Sequence, residues 1–388
     1  MFVFISLAQK NVTRKKERSA LTIIGVLLAV AATISLVSIA EGLYERLNYE
    51  INLQDVDIYV LPKSSSFLPA GSMGAIGSGS LIVSREYINQ IKSIAGVKDV
   101  TGITRLLATA GKEKVGVVVW GIIPDKMNIF FPKIEIQEGD FFQKTNDLII
   151  GPQISRELKI DIENQFPISQ VNFNIVGKTY PVYSFEDYAC FISLDDALTV
   201  QRTQGVQEIW VQVADDSSSG EIDNIIKTIR KEMKDVTVKT KVEYLGDANH
   251  FVALVRLLQY AISAIGILIA ITASMNTMLM STYERMDEFG TLRAIGASRF
   301  FIFSMVLFES LFLSFIGGIL GVLLGFLGSG LFNDAIVTLL KLSFPVSKVT
   351  FRLIIEALML SIGVGLLGAL IPAFIASRME IIKALRWE

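Results

Sequence analysis

The order of apolar and polar residues divides the chain into four charge-poor stretches and one long polar region. Residues 19–40, 257–283 and 357–377 carry no charged side chain, and residues 301–333 carry a single one. A helix needs about 20 apolar residues to cross a hydrocarbon core of about 30 Å. The pattern therefore predicts a membrane protein with four α-helical spans and a large domain between the first two.

We place the segment limits where charge and periodicity change. The predicted segments are an amphipathic surface helix (1–18), the first span (19–40), the interspan domain (41–250), the second span (251–283), a charged connector (284–299), the third span (300–333), a short loop (334–351), the fourth span (352–377) and a tail (378–388). Ser38–Ala40 also resembles a signal-peptide cleavage site. However, the apolar run exceeds the roughly 7–15 residues of such a peptide, which favours an uncleaved anchor.

The interspan domain combines helical and strand patterns, which predicts an α+β fold. Apolar spacing beyond residue 40 continues through Leu43, Leu47 and Ile51, so the first helix is expected to extend as a stalk. Two strand–helix–strand patterns follow, at the two ends of the domain, and suggest a pseudo-repeat. The sequence between them, about 113–204, is rich in strand patterns and predicts an inserted, mainly β subdomain.

Charge predicts the orientation in the membrane and excludes one class of partner. Basic residues cluster before the first span, in the connector and in the tail, and the positive-inside rule places such clusters in the cytoplasm. Both termini and the connector are then cytoplasmic, and residues 41–250 lie outside an inner membrane. The 36 basic and 38 acidic residues give a net charge of −2. A nucleic-acid partner would require a clustered basic face, so none is expected.

The residues needed for catalysis or metal binding are missing from the sequence. A single cysteine, Cys190, and a single histidine, His250, exclude an intrachain disulfide and argue against a zinc site. Gly177-Lys178-Thr179 resembles the end of a phosphate-binding loop, but Asn172 stands where that motif requires glycine. We therefore predict no catalytic residue and no metal site.

Two features within the predicted spans suggest contacts between helices. Glu309 is an acid in an apolar run and should face protein or water. It is either a polar lock, a proton or ligand contact, or a hydrogen-bonded packing residue. Gly317, Gly321 and Gly325 form a small-residue face that permits close helix packing, within the chain or with a second copy.

A serine- and glycine-rich loop at 64–80 interrupts the domain and carries four large apolar residues. These are Phe67, Leu68, Met73 and Ile76. The loop is either a flexible connection or an apolar surface that contacts a partner or a substrate.

Several stretches together carry a family resemblance. They are LAQKNVTRKKERSALTIIGV near the start, NTMLMSTYERMDEFGTLRAIGAS around the connector, LFESLFLSFIGGILGVLLG in the third span and IPAFIASRMEIIKALRWE at the end. The chain thereby resembles the MacB/FtsX superfamily of ABC transporter permeases. In MacB the permease is fused to an ATPase domain, and no ATPase sequence precedes the first span here.

The resemblance implies a mechanism and a set of partners. ATP with magnesium would be bound by a separate ABC ATPase subunit, so this chain itself would be a non-catalytic permease without a cofactor. A second permease copy, identical or different, membrane lipid and a periplasmic adaptor protein are the other expected partners. The connector would be the coupling helix, and its expected ATPase contacts are Glu284, Arg285, Glu288, Gly290, Leu292, Arg293, Gly296 and Ala297.

The expected outcome of this coupling is export or extraction of an amphiphilic or hydrophobic substrate by mechanotransmission. Two alternatives stay open from the sequence. One is lipoprotein release, as in the LolC/LolE branch of the same superfamily. The other is a membrane-anchored receptor or scaffold that works without an ATPase.

Overall fold

A computed structural model describes residues 16–63, 82–110, 115–162, 164–215, 217–340, 342 and 344–379. The helices are α1 (Lys16–Leu53), α2 (Glu86–Lys92), α3 (Met127–Phe130), α4 (Pro152–Leu158), α5 (Leu194–Gln201), α6 (Ser219–Glu232), α7 (Lys241–Glu284), α8 (Met286–Ala294), α9 (Arg299–Leu340) and α10 (Phe351–Arg378). The strands are β1 (Ile58–Pro62), β2 (Val83–Ser84), β3 (Val97–Ala110), β4 (Val115–Ile122), β5 (Ile136–Gly139), β6 (Asp147–Ile150), β7 (Gln165–Ile168), β8 (Val171–Thr179), β9 (Ala189–Ser193), β10 (Gly205–Val206), β11 (Glu208–Val213) and β12 (Val236–Thr240).

The chain divides into two compact units. The first comprises Met1–Leu43 and Val252–Glu388, and the second comprises Tyr44–Phe251. In the described part of the chain, four helices are long and apolar enough to cross a membrane, namely α1, α7, α9 and α10. The prediction of four spans with a large α+β domain between the first two is confirmed. Each of α1 and α7 is a single helix that continues from one unit into the other.

The glycine face of α9 packs against α1 of the same chain. A Cβ atom built on Gly321 would lie 2.7 Å from Cβ of Val30 and 2.9 Å from the carbonyl oxygen of Leu27. A Cβ atom on Gly317 or Gly325 would likewise approach the α1 backbone within 2.9 and 3.1 Å. Small residues are required here because the two helix backbones lie so close together. Within the chain, α1 is thus a neighbour of this glycine face.

The second unit is built on a sheet whose ends have different topologies. Among the described residues, ten strands form one sheet in the order β12-β1-β11-β3-β4-β9-β6-β8-β5, with β7 pairing with β3 and β8. At one end, β1, β3, β11 and β12 with α2 and α6 form a βαββαβ arrangement in which neighbouring strands are antiparallel. These are the two strand–helix–strand patterns seen in the sequence.

The strand-rich insert has its own apolar core but shares the sheet. The 14-residue β3 pairs with β11 along its first half and with β4 along its second half. Because β3 is long enough to serve both partners, the insert continues the same sheet. One buried cluster, which includes Ile91 and Ile229, lies with the βαββαβ part, and another, which includes Phe173 and Ile192, lies with the insert.

Three predicted segments fall wholly or mainly outside the described residues. These are the amphipathic helix, of which only 16–18 are described as the start of α1, the loop at 64–80 with Phe67, Leu68, Met73 and Ile76, and the tail beyond residue 379.

Candidate functional site

The connector folds as a short helix, α8, with a defined stop at each end. Arg285 separates α7 from α8 and has φ −111° and ψ 19°, outside the helical region. After α8, Gly296 adopts φ +104°, its N–H donates to the carbonyl of Arg293, and the N–H of Ala297 donates to that of Leu292. This pair of bonds is a Schellman motif, which favours glycine at the left-handed position. Gly296 therefore has a structural role in ending the connector.

Arg285 joins the connector to the third span through a buried ion pair. Its Nη1 donates to Oε2 of Glu309 at 2.7 Å, and its Nε donates to Oε2 of Glu288 at 3.0 Å. The side chains of Arg285 and Glu309 are only 9% and 11% exposed, whereas Glu288 is 49% exposed. The guanidinium also lies over the ring of Phe289, 5.1 Å from its centroid. Glu309 of α9 is thus paired with the residue that separates α7 from α8. Its functional role stays a prediction.

Arg293 makes the equivalent connection to the fourth span. Its Nη1 donates to the carbonyl oxygens of Ser377 at 3.1 Å and Met379 at 3.4 Å, at the C-terminal end of α10. A cation at the C-terminal end of a helix binds carbonyl groups that have no partner within the helix. It also interacts favourably with the negative end of the helix dipole. The two arginines of the connector therefore hold both of the following spans.

An apolar contact between the same three helices lies beside these polar ones. Phe289 of α8 is 1% exposed and packs in a cluster with residues of α9 and α10. The cluster also contains Ile302, Met305, Val306, Ala373 and Ala376. The inner face of the connector is thus fixed to α9 and α10 by burial as well as by charge.

The other face of the connector is exposed. Asp287, Thr291 and Ile295 follow each other at four-residue spacing and are all exposed, with Ile295 at 80%. Ile295 is a large apolar side chain on this exposed face. None of these three residues is among the eight predicted ATPase contacts, although their i, i+4 spacing marks a single helix face.

The eight residues predicted to contact an ATPase fall into three groups by exposure. Glu284, Glu288 and Gly296 are exposed, Leu292, Arg293 and Ala297 are half-buried, and Arg285 and Gly290 are buried. The structure brings them together on and beside α8 but directs Arg285 and Arg293 toward the spans. Their contact with an ATPase stays a prediction.

Comparison with known proteins identifies the family. Residues 260–381 match the FtsX-like permease C-terminal domain, and residues 19–229, more than half of the chain, match the MacB-like periplasmic core domain. The chain belongs to the MacB/FtsX family of ABC transporter permeases. It is 25% identical to the ABC transporter permease YknZ of Bacillus subtilis (strain 168), covering 99% of this chain and 98% of YknZ. It is 27% identical to YvrN of the same organism, with both chains covered completely.

Other relatives of this permease are longer or cover only part of it. The macrolide export ATP-binding/permease protein MacB of Bdellovibrio bacteriovorus is 26% identical over 98% of this chain, which spans 61% of that relative. Among solved structures, the periplasmic region of MacB from Actinobacillus actinomycetemcomitans aligns with a TM-score of 0.40 at 10% identity, covering 51% of this chain and 94% of that one. The extracellular domain of YknZ aligns with a TM-score of 0.37 at 16% identity, covering 47% and 98%.

The remaining sequence features of the permease give no catalytic site among the described residues. Gly177, Lys178 and Thr179 lie within strand β8 rather than in a loop, so they cannot surround a phosphate. Cys190 is fully buried, and burial raises the pKa of its thiol, which makes it a poor nucleophile. No group of three or more potential metal ligands occurs in the part of the chain that the structure describes.

Proposed function

We propose that this permease couples ATP binding and hydrolysis on a separate ABC ATPase subunit to a conformational change of its interspan domain. The observation that carries the proposal is the double attachment of the connector, by Arg285 to Glu309 and by Arg293 to the end of α10. A force applied to the exposed face of α8 is thereby delivered to the third and fourth spans together. The substrate class that fits such a device is an amphiphilic or hydrophobic molecule, exported or extracted from the membrane.

The helices on either side of the connector are suited to carry a displacement. α7 has no interruption between Lys241 and Glu284, which directly precedes Arg285. A helix held by consecutive backbone hydrogen bonds is stiff along its axis, whereas a flexible linker would absorb the displacement. ATP must favour one permease state over the other for any net shift, since a ligand changes an equilibrium only by its differential affinity.

The proposal assigns the ATP and its magnesium ion to the partner ATPase and no cofactor to this chain. It also includes a second permease copy, with which the four spans would complete a transport unit, and a periplasmic adaptor as a further partner. The termini and connector would be cytoplasmic and residues 41–250 would lie on the other side of the inner membrane, in agreement with the distribution of arginine and lysine.

The experiment measures ATPase binding and ATPase stimulation separately. The purified chain in nanodiscs is combined with its cognate ABC ATPase, and Ile295→Glu is compared with Glu309→Gln. Ile295, which directly follows α8, is 80% exposed, so a charge there should weaken binding of the ATPase at least about tenfold. Glu309 is buried against Arg285, so Glu309→Gln should leave binding unchanged while stimulation of ATP hydrolysis falls.

A matched control has the same kind of substitution at an exposed position away from the connector. Val242, near the start of α7, is 77% exposed. Val242→Glu should change neither the binding of the ATPase nor its stimulation. If the ATPase binds Ile295→Glu and Asp287→Arg as well as it binds the unaltered chain, the connector is not its docking site. That result would favour the receptor or scaffold alternative.

A further inference from the structure

The loop between α9 and α10 lies directly against α1, close to the end of the first unit. A Cβ atom built on Gly42 would lie 2.7 Å from the carbonyl carbon of Val346 and 2.8 Å from Cα of Ser347. Non-bonded carbon atoms prefer about 3.5–4.0 Å, so only glycine fits here without moving the loop. The backbone N–H of Lys348 donates to the carbonyl oxygen of Ser38 at 2.9 Å. Helix and loop are therefore in contact through their main chains.

A group of serine hydroxyls joins the same loop to α9 as well as α1. Ser38 of α1 and Ser329 of α9 are buried, and their Oγ atoms lie 2.9 Å apart. Oγ of Ser329 also lies 3.2 Å from Oγ of Ser347, which in turn donates to the carbonyl of Ser329 at 3.2 Å. The N–H of Val346 donates to Oδ1 of Asn333 at 2.8 Å. A buried hydroxyl without a partner is costly, so these bonds favour a single arrangement of the three segments.

This contact is far along α9 from the connector. α9 begins at Arg299, the last residue of the connector, and Ser329 lies about 45 Å farther along the helix, at about 1.5 Å per residue. The second unit begins at Tyr44, directly after the part of α1 that touches the loop. α9 thus extends from the connector to the contact, and α1 leads from the contact into the second unit.

We propose that Ser329 and the loop residues 346–348 clamp α1 to α9 at Ser38 and Gly42, so that the two helices move as one rigid pair. Ser38 and Gly42 are then positioning residues. The inference rests on the proposed function for its source of motion, in which the connector displaces α9, and it adds that α1 carries this displacement into the second unit. Backbone contact at a glycine and paired hydroxyls suit a clamp, because no long side chain lies between the helices to absorb the movement.

Hydrogen exchange of the full chain in nanodiscs tests the clamp without an ATPase. Gly42→Ala should raise exchange in the peptide covering 344–350 about tenfold or more, because the loop must move away and the N–H of Lys348 loses its acceptor. Gly25→Ala is the matched control on the same helix, since its Cβ would meet only Cβ of Ala273, at 3.8 Å, and it should leave exchange of the loop unchanged. Equal exchange of the loop in Gly42→Ala and in the unaltered chain refutes the clamp.

A disulfide tests whether the two helices stay together, and it does not depend on the folding of Gly42→Ala. Ser38→Cys with Ser329→Cys replaces two hydroxyls 2.9 Å apart by thiols, and the native Cys190 is buried. Diamide, which accepts the two electrons and two protons, should oxidise this pair almost completely. The oxidised and reduced forms should stimulate the cognate ATPase equally, within about twofold. Poor formation of the disulfide, or stimulation that is lost on oxidation and restored by a reductant, overturns the rigid pair.

Movement in the second unit separates transmission from simple packing. In the unaltered chain with its ATPase, ATP should change hydrogen exchange in the α1 peptide covering 44–53. In Gly42→Ala this change should disappear while the ATPase stays bound and continues to hydrolyse ATP. If Gly42→Ala keeps the full ATP-dependent change, Gly42 only packs and the proposal is wrong. Failure of the proposed function differs, because the unaltered chain then neither binds nor stimulates the ATPase, and exchange of the loop and yield of the disulfide still decide the clamp.

Discussion

The two carboxylates that bind Arg285 offer a controlled test of the joint between the connector and the third span. Both lie within hydrogen-bond distance of the same guanidinium, at 2.7 Å for Glu309 and 3.0 Å for Glu288. They differ in environment, because Glu309 is 11% exposed and Glu288 is 49% exposed. We therefore compare Glu309→Gln with Glu288→Gln, two substitutions with the same chemistry and a common partner.

The expected costs differ because of burial. Removing one member of a buried ion pair leaves the other charge uncompensated, which costs about 3–5 kcal/mol. Glutamine still accepts a hydrogen bond from Arg285. We therefore expect Glu309→Gln to lower the free energy of unfolding by about 3 kcal/mol, the lower end of this range. An exposed pair contributes about 0–1 kcal/mol because water already solvates both charges, so Glu288→Gln should cost less than about 1 kcal/mol.

The free energy of unfolding is measured by titrating the purified chain with a denaturing detergent in mixed micelles. A difference of about 2 kcal/mol or more between the two variants supports the buried joint. If their stabilities agree within about 0.5 kcal/mol, the reasoning from burial is wrong. A double variant, Arg285→Met with Glu309→Leu, should recover much of the lost stability because an apolar pair can replace a buried ion pair. Under the proposed function it should still fail to stimulate ATP hydrolysis.

Three further predictions concern packing, a buried hydroxyl and the single thiol. Gly321→Ala should lower the free energy of unfolding by about 1–3 kcal/mol, because the added Cβ would overlap α1. Gly330→Ala should not lower it, because the space around Gly330 is open. Unfolding in denaturing detergent compares the two variants. Tyr59→Phe should not destabilise the chain, because the Tyr59 hydroxyl is buried without a hydrogen-bond partner, and thermal unfolding would show this. Cys190, whose pKa is raised by burial, should react with maleimide only after unfolding, measured as mass added with and without denaturant.

Much of the architecture follows from local properties of the chain. A charge-free stretch long enough to cross a bilayer becomes a helix, because backbone groups in lipid must bond within their own segment. Residues 19–40 and 357–377 satisfy this condition in any context. The connector is equally local, since α8 ends through bonds from the N–H of Gly296 to the carbonyl of Arg293 and from the N–H of Ala297 to that of Leu292. Period-two and helical patterns likewise predicted the two strand–helix–strand arrangements within the second unit.

The partners of particular side chains were decided by the tertiary structure alone. The sequence showed that Glu309 should face protein or water, but its partner Arg285 is 24 positions away, between α7 and α8. The glycine face of α9 predicted close packing without indicating that α1 was the neighbour. Hydrophobicity and periodicity act within a segment, so they determine which helices and strands form. Which faces then meet depends on how all the segments pack together, and that information is distributed over the whole chain.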